Sequence, residues 1–411
     1  MHAEIGGDSR SANRWGLLGL AGVTATLVVA MPAMAMPVLF AEIAEELGLS
    51  LVQVGAIWGI ASLAGLFASL AGGALGDRYG TGRTLAVACL AVGLTGALRG
   101  ASNSLATMAC TVFLSGLVVA AIPQNLHKVC GVWFSGRRLG LANGVIAAGM
   151  ALGFMTGSML SAAVLSPWLG SWRNVLFFYG GIAVVMSLPW AFARTAPQEP
   201  TRRAGEGGSP SIRLALSHVT RVRDVWFLGF ALLGVGGCVQ GFLGYLPLYL
   251  RGIGWAATRA DAALAAFHAI SLAAVFPLAL LCSRLRLRRS FLAAATVLIV
   301  VGVGLLSIVD GTLVWLGVLM AGVVRDGYMA ILITTVTEAR GVGAIYAGTA
   351  IGLTMTFSRL GGLIAPPLGN SLAAWNPHLP FVLWAAMACV GLVALALVRE
   401  GRRTVRLKEG T

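Results

Sequence analysis

Two arginines and one aspartate lie in the middle of long apolar stretches of this sequence. Arg325 and Asp326 are adjacent in one stretch, and Arg359 lies in the next. A charged side chain costs at least about 2.5 kcal/mol at the centre of a hydrocarbon layer, so such residues are expected to have a function. A guanidinium group presents a fork of donors that fits a carboxylate or a similar oxyanion. The sequence therefore predicts that Arg325 holds an anionic substrate, with Arg359 as a further candidate, and ion pairs that only join helices are the alternative for both.

The same stretches contain two side chains that could carry a proton. Neighbouring residues on a helix point about 100° apart, so we do not expect Arg325 and Asp326 to face each other. We expect one of them to face the substrate path and the other to pair with a neighbouring helix. Asp326 is the first candidate for proton coupling, because a carboxyl group removed from water can hold a proton. His268 is the second, because imidazole titrates near neutral pH, and a packing role is its alternative.

Three amide side chains complete the candidate substrate-binding residues. Gln124 and Asn125 follow one another in one apolar stretch, and Gln240 lies in another. An amide inside a membrane protein either orients a substrate or joins two helices through hydrogen bonds, and the sequence leaves both roles open.

The chain shows no pattern typical of a metal site, a cofactor site or an enzyme. Its six cysteines occur singly, without a Cys-x-x-Cys pair, and its five histidines lack the spacing of metal ligands. Nucleotide-binding glycine loops, nucleophile elbows and metalloprotease motifs are absent from the sequence. We therefore predict a protein that is not an enzyme and has no cofactor or metal.

Composition places these residues in a membrane. Of 411 residues, 58% are hydrophobic and only 11% are charged, against about 25% charged in a soluble protein. Apolar segments of ~20 residues, each able to cross ~30 Å of hydrocarbon as a helix, recur along the chain without the alternation of a β-barrel. They predict twelve helices, at 15–40, 52–75, 84–98, 105–129, 141–165, 175–193, 225–250, 260–281, 291–309, 313–336, 344–368 and 381–398.

The basic residues predict how these helices are oriented. Of the 29 Lys and Arg, two lie within the membrane and four are assigned to its outer side, so the remaining 23 lie on the side of the turn between helices 2 and 3. The four on the outer side are Arg99, Arg173, Arg251 and Arg259. Cytoplasmic loops carry such an excess, so we expect a multi-pass inner (plasma) membrane protein with both termini in the cytoplasm. The net charge of +14 thus reflects topology and contact with lipid, and we expect no nucleic-acid partner.

The turn between predicted helices 2 and 3 carries a recognisable motif. It contains Gly73, Asp77, Arg78, Gly80 and Arg83. This spacing resembles the signature that members of the major facilitator superfamily carry after their second helix, Gly-x-x-x-Asp-Arg-x-Gly-x-(Arg/Lys)-(Arg/Lys). Gly82 departs from it, since it occupies the first of the two final basic positions.

The resemblance implies an all-α membrane protein with twelve transmembrane helices in two six-helix bundles related by pseudo-twofold symmetry. An internal repeat supports it, because Gly116 in helix 4 precedes Gly322 in helix 10 by 206 positions. We expect bundles at 1–194 and 224–411, joined by a Pro-, Gly- and Arg-rich cytoplasmic linker at 195–223. In this superfamily, helices 1, 4, 7 and 10 line a central cavity.

Function follows from the resemblance and the intramembrane charges together. We predict a secondary transporter that moves a small, anionic solute by alternating access with protons as the coupling ion, working as a monomer in the bilayer. The motif residues and the loop residues Arg137 and Arg138 are expected to close its cytoplasmic side. Proton-driven drug efflux is one alternative. Phe154 argues against it, because this residue occupies the position where such antiporters have the proline of a Gly-Pro step. A receptor-like relative that does not transport is the other.

Overall fold

The protein is almost entirely helical in the residues that its computed structural model describes, which are 5–193, 195, 212–285 and 288–398. Within these residues the side chains of 5–13, 69–74, 77, 137, 212, 279, 283–285 and 344 are not described. Twelve long helical rods account for nearly all of the described chain, and one short linker helix, Ile212–Val219, lies between the sixth and the seventh.

The twelve rods agree one for one with the twelve predicted helices. We label them α1 (Ile5–Thr24, π-helical Ala25–Ala30 and Met31–Leu47), α2 (Leu51–Tyr79), α3 (Thr81–Gly100), α4 (Leu105–Val119 and Ala121–Trp133), α5 (Gly136–Leu160, π-helical Ser161–Leu165 and Ser166–Leu169), α6 (Trp172–Phe192), α7 (Arg223–Gly252), α8 (Ala257–Leu285), α9 (Arg288–Leu305), α10 (Leu313–Thr337), α11 (Gly343–Leu372) and α12 (Leu379–Leu397).

Eleven of these helices are long and apolar enough to cross a membrane, within the part of the chain that the structure describes. The helix outside this group is α11, which spans 30 residues, Gly343–Leu372. Its Gly, Thr and Pro content and its Arg359 lower its hydropathy. It packs along α7 and α2 inside the protein, so neighbouring helices shield much of it from lipid.

Two six-helix bundles with the same internal packing make up the molecule. In the first bundle α1 packs on α5, α2 on α4 and α3 on α6; in the second, α7 packs on α11, α8 on α10 and α9 on α12. The predicted repeat is visible at one pair of glycines. Gly116 of α4 lies against Ala61 and Ala64 of α2, and Gly322 of α10 lies against Phe267 of α8. The two positions therefore make equivalent helix contacts, which agrees with the predicted pseudo-twofold relation.

The helices alternate in direction between two ends of the molecule. We call the end with the Gly80 turn and the linker helix the linker end, and the end with the turns at Gly48, Gly170 and Gly254 the far end. Between the bundles, α2 packs on α11 and α5 packs on α8. Close approach of α2 and α11 occurs towards the far end, where Gly55 lies on the backbone of Pro366.

Two boundaries differ from the sequence-based predictions. The first helix was predicted to begin at residue 15, but the helix of α1 already begins at Ile5, while 1–4 lie outside the described residues. The turn predicted over Gly73 to Arg83 shrinks to Gly80 alone, whose φ of +88° is the left-handed conformation that favours glycine. Helix continues on both sides of Gly80 because its neighbours satisfy their backbone groups within α2 and α3.

A π-helical segment interrupts the first helix, α1. Ala25–Ala30 is π-helical and ends just before Pro32, and Pro37 follows inside the next helical segment. Proline lacks an amide proton, and membrane helices accommodate it by such local changes of hydrogen-bonding pattern. Gly149, Gly153 and Gly157 of α5 lie on the backbone of α1, so the two helices are in close contact.

Candidate functional site

A cavity lies between the two bundles, halfway along their helices. Its volume is about 320 Å³, and its lining comes from both bundles. A second space of about 340 Å³ lies beside it on the α7, α10 and α11 side. The two spaces share six lining residues: Ser62, Phe154, Gln240, Leu243, Arg325 and Arg359. They therefore form one central site of the size that suits a small molecule.

The guanidinium group of Arg359 lies in this site without a partner. Arg359 is the seventeenth residue of the 30-residue α11, and its side chain is exposed although the residue lies inside the protein. No ion pair or hydrogen bond of Arg359 occurs among the described residues. Gly65 of α2 provides room for it, since a Cβ atom there would lie 2.9 Å from Cζ and Nη1 of Arg359. The group is therefore available to bind an anion.

Arg325 also lines the site, but it is paired. Its Nη1 donates to Oδ1 of Asp326 at 2.6 Å, so the prediction that these neighbours do not face each other is wrong. The reason is the length of the arginine side chain, which bends back after leaving the helix in another direction. Ser271 of α8 donates from its hydroxyl to Oδ2 of Asp326 at 2.8 Å. The side chains of Arg325 and Asp326 are 26% and 29% exposed, so the pair borders the cavity.

Phe154 separates this pair from His268. The Cζ atom of Arg325 lies 5.5 Å from the centre of the Phe154 ring, within the range of a cation–π contact. The imidazole of His268 lies 5.3 Å from the same ring and is 1% exposed. Its Nε2 has no hydrogen-bond partner among the described residues. His268 thus lies behind an aromatic wall of the cavity and is buried in the protein.

The three predicted amides lie at different depths. Gln240 of α7 lines the cavity, and its backbone oxygen accepts a hydrogen bond from Nε1 of Trp58 at 2.8 Å. Asn125 is fully buried, donates to the carbonyl oxygen of Ala121 and presses its Oδ1 against Gly76 of α2. Gln124 is half-buried, one residue beyond the lining residue Pro123. A substrate role for Gln124 and Asn125 stays a prediction.

The predicted gating residues lie at the linker end, away from the cavity. Arg83 and Arg138 are exposed, and the guanidinium of Arg78 lies 5.4 Å from the ring centre of Tyr79. Gly80 forms the turn, and Gly73 and Asp77 lie in the last turns of α2. The side chains of Asp77 and Arg137 lie outside the described side chains. The amide of Gly82 donates to Oγ1 of Thr195 at 3.1 Å, which holds this turn to the end of α6.

Sequence reasoning missed two groups at the site. Ser271 was not among the predicted site residues, although it binds Asp326 twice, since its Oγ also accepts from the amide of Asp326 at 3.1 Å. Arg99 was assigned to the outside, but it is 8% exposed and lines the cavity. Its position near the end of an apolar stretch gave no sign of this burial. The described residues contain no cluster of three or more His, Cys, Asp or Glu side chains that could hold a metal ion.

Two symmetrical six-helix bundles around a central cavity define a class of membrane transport proteins. The profile of the Major Facilitator Superfamily matches residues 18–366, and the chain belongs to this family.

Comparison with known proteins shows which transporters the chain is similar to. It is 31% identical to human monocarboxylate transporter 11 over 268 residues, which cover 58% of this chain and 51% of that protein, about half its length. The crystal structure of a bacterial homolog of the human lysosomal transporter Spinster has a TM-score of 0.72 at 14% identity, covering 94% of this chain and 95% of the other. The nucleoside transporter NupG has a TM-score of 0.78 at 13% identity, covering 93% and 99%. At these identities the two structures support the fold alone.

Proposed function

We propose that this protein is a secondary transporter that moves a small anion by alternating access, with Arg359 as its principal anion-binding group. One observation carries the proposal: the Arg359 guanidinium is exposed in a cavity inside the protein and has no acidic partner among the described residues. An unpaired charge in such a position is costly unless water or a ligand solvates it. A carboxylate fits the donor fork of Arg359 in two-point contact.

The charges around the cavity support an anion over a cation. Its described lining includes Arg99, Arg325 and Arg359 and no acidic side chain. Asp326, beside the lining, neutralises Arg325 and leaves a surplus of positive charge. Two unit charges about 4 Å apart interact by about 4 kcal/mol at the effective dielectric constant of 20 that suits such sites. The surplus therefore attracts anions and repels the lipophilic cations that many drug exporters carry.

We infer that Asp326 couples anion binding to a proton. While Asp326 is ionised, it occupies the Nη1 donor of Arg325. A proton on Asp326 would remove that negative charge and free Arg325 for an anion, so that proton and anion bind together. The other charged or titratable groups of this region are Arg359 of α11, which lines the same space as Arg325, and His268 of α8, which lies against Phe154. Only Arg325 makes a described ion pair with it.

The similarity to a monocarboxylate transporter suggests the class of anion. That relative's name states a monocarboxylate as its cargo, and a monocarboxylate carries the planar oxyanion that a guanidinium binds. We propose lactate-sized carboxylates as the first probes for this chain, because a cavity of about 320 Å³ lies at the lower end of small-molecule sites.

We also propose an orientation and a conformational state. The excess of basic residues assigns the linker end to the cytoplasm of the cell that makes the protein, with both termini on that side of its inner (plasma) membrane. The close contacts between bundles described above lie towards the far end, including the Asn370 amide, which donates to the backbone oxygen of Leu51 at 2.8 Å. A transporter packed in this way at its outer end is open to the cytoplasm. The gating residues at the linker end would then close the opposite state.

Transport by purified protein in liposomes tests the proposal. We expect lactate uptake driven by an inward proton gradient, and we expect Arg359→Gln to weaken anion binding about 10- to 150-fold, because a hydrogen-bonded charge contributes about 1.5–3 kcal/mol. Arg359→Lys keeps the charge but loses the two-point donor geometry, so its affinity for the anion should lie between those of wild type and Arg359→Gln. Arg221→Gln removes an exposed arginine at the linker end and is the matched control. Full anion binding by Arg359→Gln, or uptake of lipophilic cations in place of anions, would refute the assignment.

A further inference from the structure

Arg99 is a buried arginine whose guanidinium group the fold does not explain. It lies in the last turn of α3, is 8% exposed, and borders the same cavity as Arg359 but from the other bundle. Side chains of a helix lean towards its N-terminus, and α3 begins at the linker end, so Arg99 leans towards the middle of the molecule. Its position is thus compatible with contact to a molecule in the cavity.

Described contacts of Arg99 do not satisfy its five N–H donors. Its one hydrogen bond runs from Nε to the backbone oxygen of Gly96 at a long 3.4 Å, and no acidic side chain among the described residues pairs with it. The backbone oxygens at the end of α3 and just beyond it are bound by a different arginine. Nη1 of Arg173 donates to the carbonyl oxygens of Gly100 at 2.8 Å and Ser102 at 2.6 Å. Arg99 is therefore not needed to cap this helix.

We propose that Arg99 is a second anion-binding group and that the cavity takes a small dianion such as a dicarboxylate, with one carboxylate at Arg359 and the other at Arg99. This inference rests on the proposed function and names its substrate class. The two guanidinium groups come from opposite bundles and border one cavity of about 320 Å³, which accommodates a four-carbon dicarboxylate. The hydroxyl groups of Ser62 and Ser115 in the lining add uncharged donors.

A dianion bound in this way would also link the two halves that must move together. Arg99 belongs to the first bundle and Arg359 to the second, so each carboxylate would contact one moving unit. A ligand that touches both bundles can favour the states in which they are close, whereas a ligand held by one bundle cannot do so through contacts alone. Monocarboxylates would then bind at Arg359 without a direct contact to Arg99.

Calorimetric titration of the purified full-length protein with lactate and with succinate tests this inference. Wild-type protein should bind succinate at least about tenfold more tightly than lactate, since a hydrogen-bonded charge is worth about that factor or more. Arg99→Met, which fills a similar volume without charge, should bring the ratio close to one, because it should weaken succinate binding much more than lactate binding. Arg99→Lys should keep part of the preference, and Arg359→Gln should weaken both ligands.

The outcomes separate this inference from the proposed function. Equal binding of succinate and lactate by wild-type protein, or an unchanged preference in Arg99→Met, would overturn the role of Arg99 while lactate binding upheld the anion transporter. Binding of neither probe would overturn both. If Arg99→Met and Arg99→Lys both failed to fold, Arg99 would be a structural residue and the inference would be wrong, whatever the wild-type preference.

Discussion

Replacement of Asp326 by asparagine should separate anion transport from proton transport. Asparagine keeps the shape of the side chain, and its amide oxygen can still accept from the Ser271 hydroxyl, which now lies 2.8 Å from Oδ2. The substitution removes the negative charge 2.6 Å from Nη1 of Arg325. It therefore imitates a permanently protonated carboxyl group at this position.

The magnitude follows from the geometry of the pair. Freed from Asp326, Arg325 adds one charged donor group to the cavity, and a hydrogen bond to a charged group contributes about 1.5–3 kcal/mol. We expect the Asp326→Asn protein to bind the anion at least about tenfold more tightly. We also expect anion exchange across the membrane to continue, because it needs no net proton movement. Uptake that depends on a pH gradient should be lost.

Liposomes with a pH-sensitive dye inside provide the assay, because they report proton entry and radiolabelled anion entry in one sample. Asp310→Asn removes an exposed carboxylate at the far end and is the matched control, which should behave as wild type. Arg325→Gln, alone and together with Asp326→Asn, completes a double-mutant cycle that isolates the interaction of the pair. If anion uptake by Asp326→Asn still depended on protons, the proposed role of Asp326 would be wrong, and His268 would be the next candidate for the coupling residue.

Two further substitutions test the wall of the cavity and the closure at the far end. His268→Gln should retain proton-coupled uptake within about twofold of wild type, because the imidazole is buried behind Phe154; loss of coupling in the transport assay would contradict this. Gly59→Ala should weaken α2–α11 packing by about 1–3 kcal/mol, because its Cβ would lie 2.6 Å from the carbonyl oxygen of Leu363. In a protein that carries Asn370→Cys, maleimide labelling of this cysteine should then increase. Gly352→Ala in the same protein adds its methyl group in open space and should leave the labelling unchanged.

The fold was predictable from sequence because the bilayer permits few solutions. Every backbone group in hydrocarbon must be satisfied within its own segment, so each long apolar run has to be a helix. Gly80 and the charged residues around it then indicated one turn, and the other turns were predicted where the apolar segments of ~20 residues end. What the sequence did not show was how little chain a turn requires. Gly80 alone reverses the direction, so α2 and α3 extend further than their apolar content indicated.

The site was only partly predictable, since helix position fixes where a side chain starts and not where its charged end lies. Arg325 and Asp326 leave α10 in different directions and still meet, because the arginine is long enough to bend back. Arg359 was predicted as a possible ligand-binding residue, and its cavity exposure depends on Gly65 in another helix. Arg99 is buried at the cavity, and Arg173 from another helix binds the backbone oxygen of Gly100 at the end of α3. These contacts join residues that are far apart in the sequence.

Differences between the two bundles indicate where function has been added to a symmetrical scaffold. The helix packing of the first bundle is repeated in the second, as the equivalent contacts of Gly116 and Gly322 show. The distribution of charged residues differs between the two bundles. Arg359 and the Arg325–Asp326 pair belong to the second bundle, and among the lining residues the first bundle contributes one charge, Arg99. Symmetrical packing alone would require none of these groups, and each is costly in a membrane. We propose that these groups serve a ligand that needs cationic groups on both bundles, more of them on the bundle that also holds Asp326, the carboxylate proposed to bind the proton.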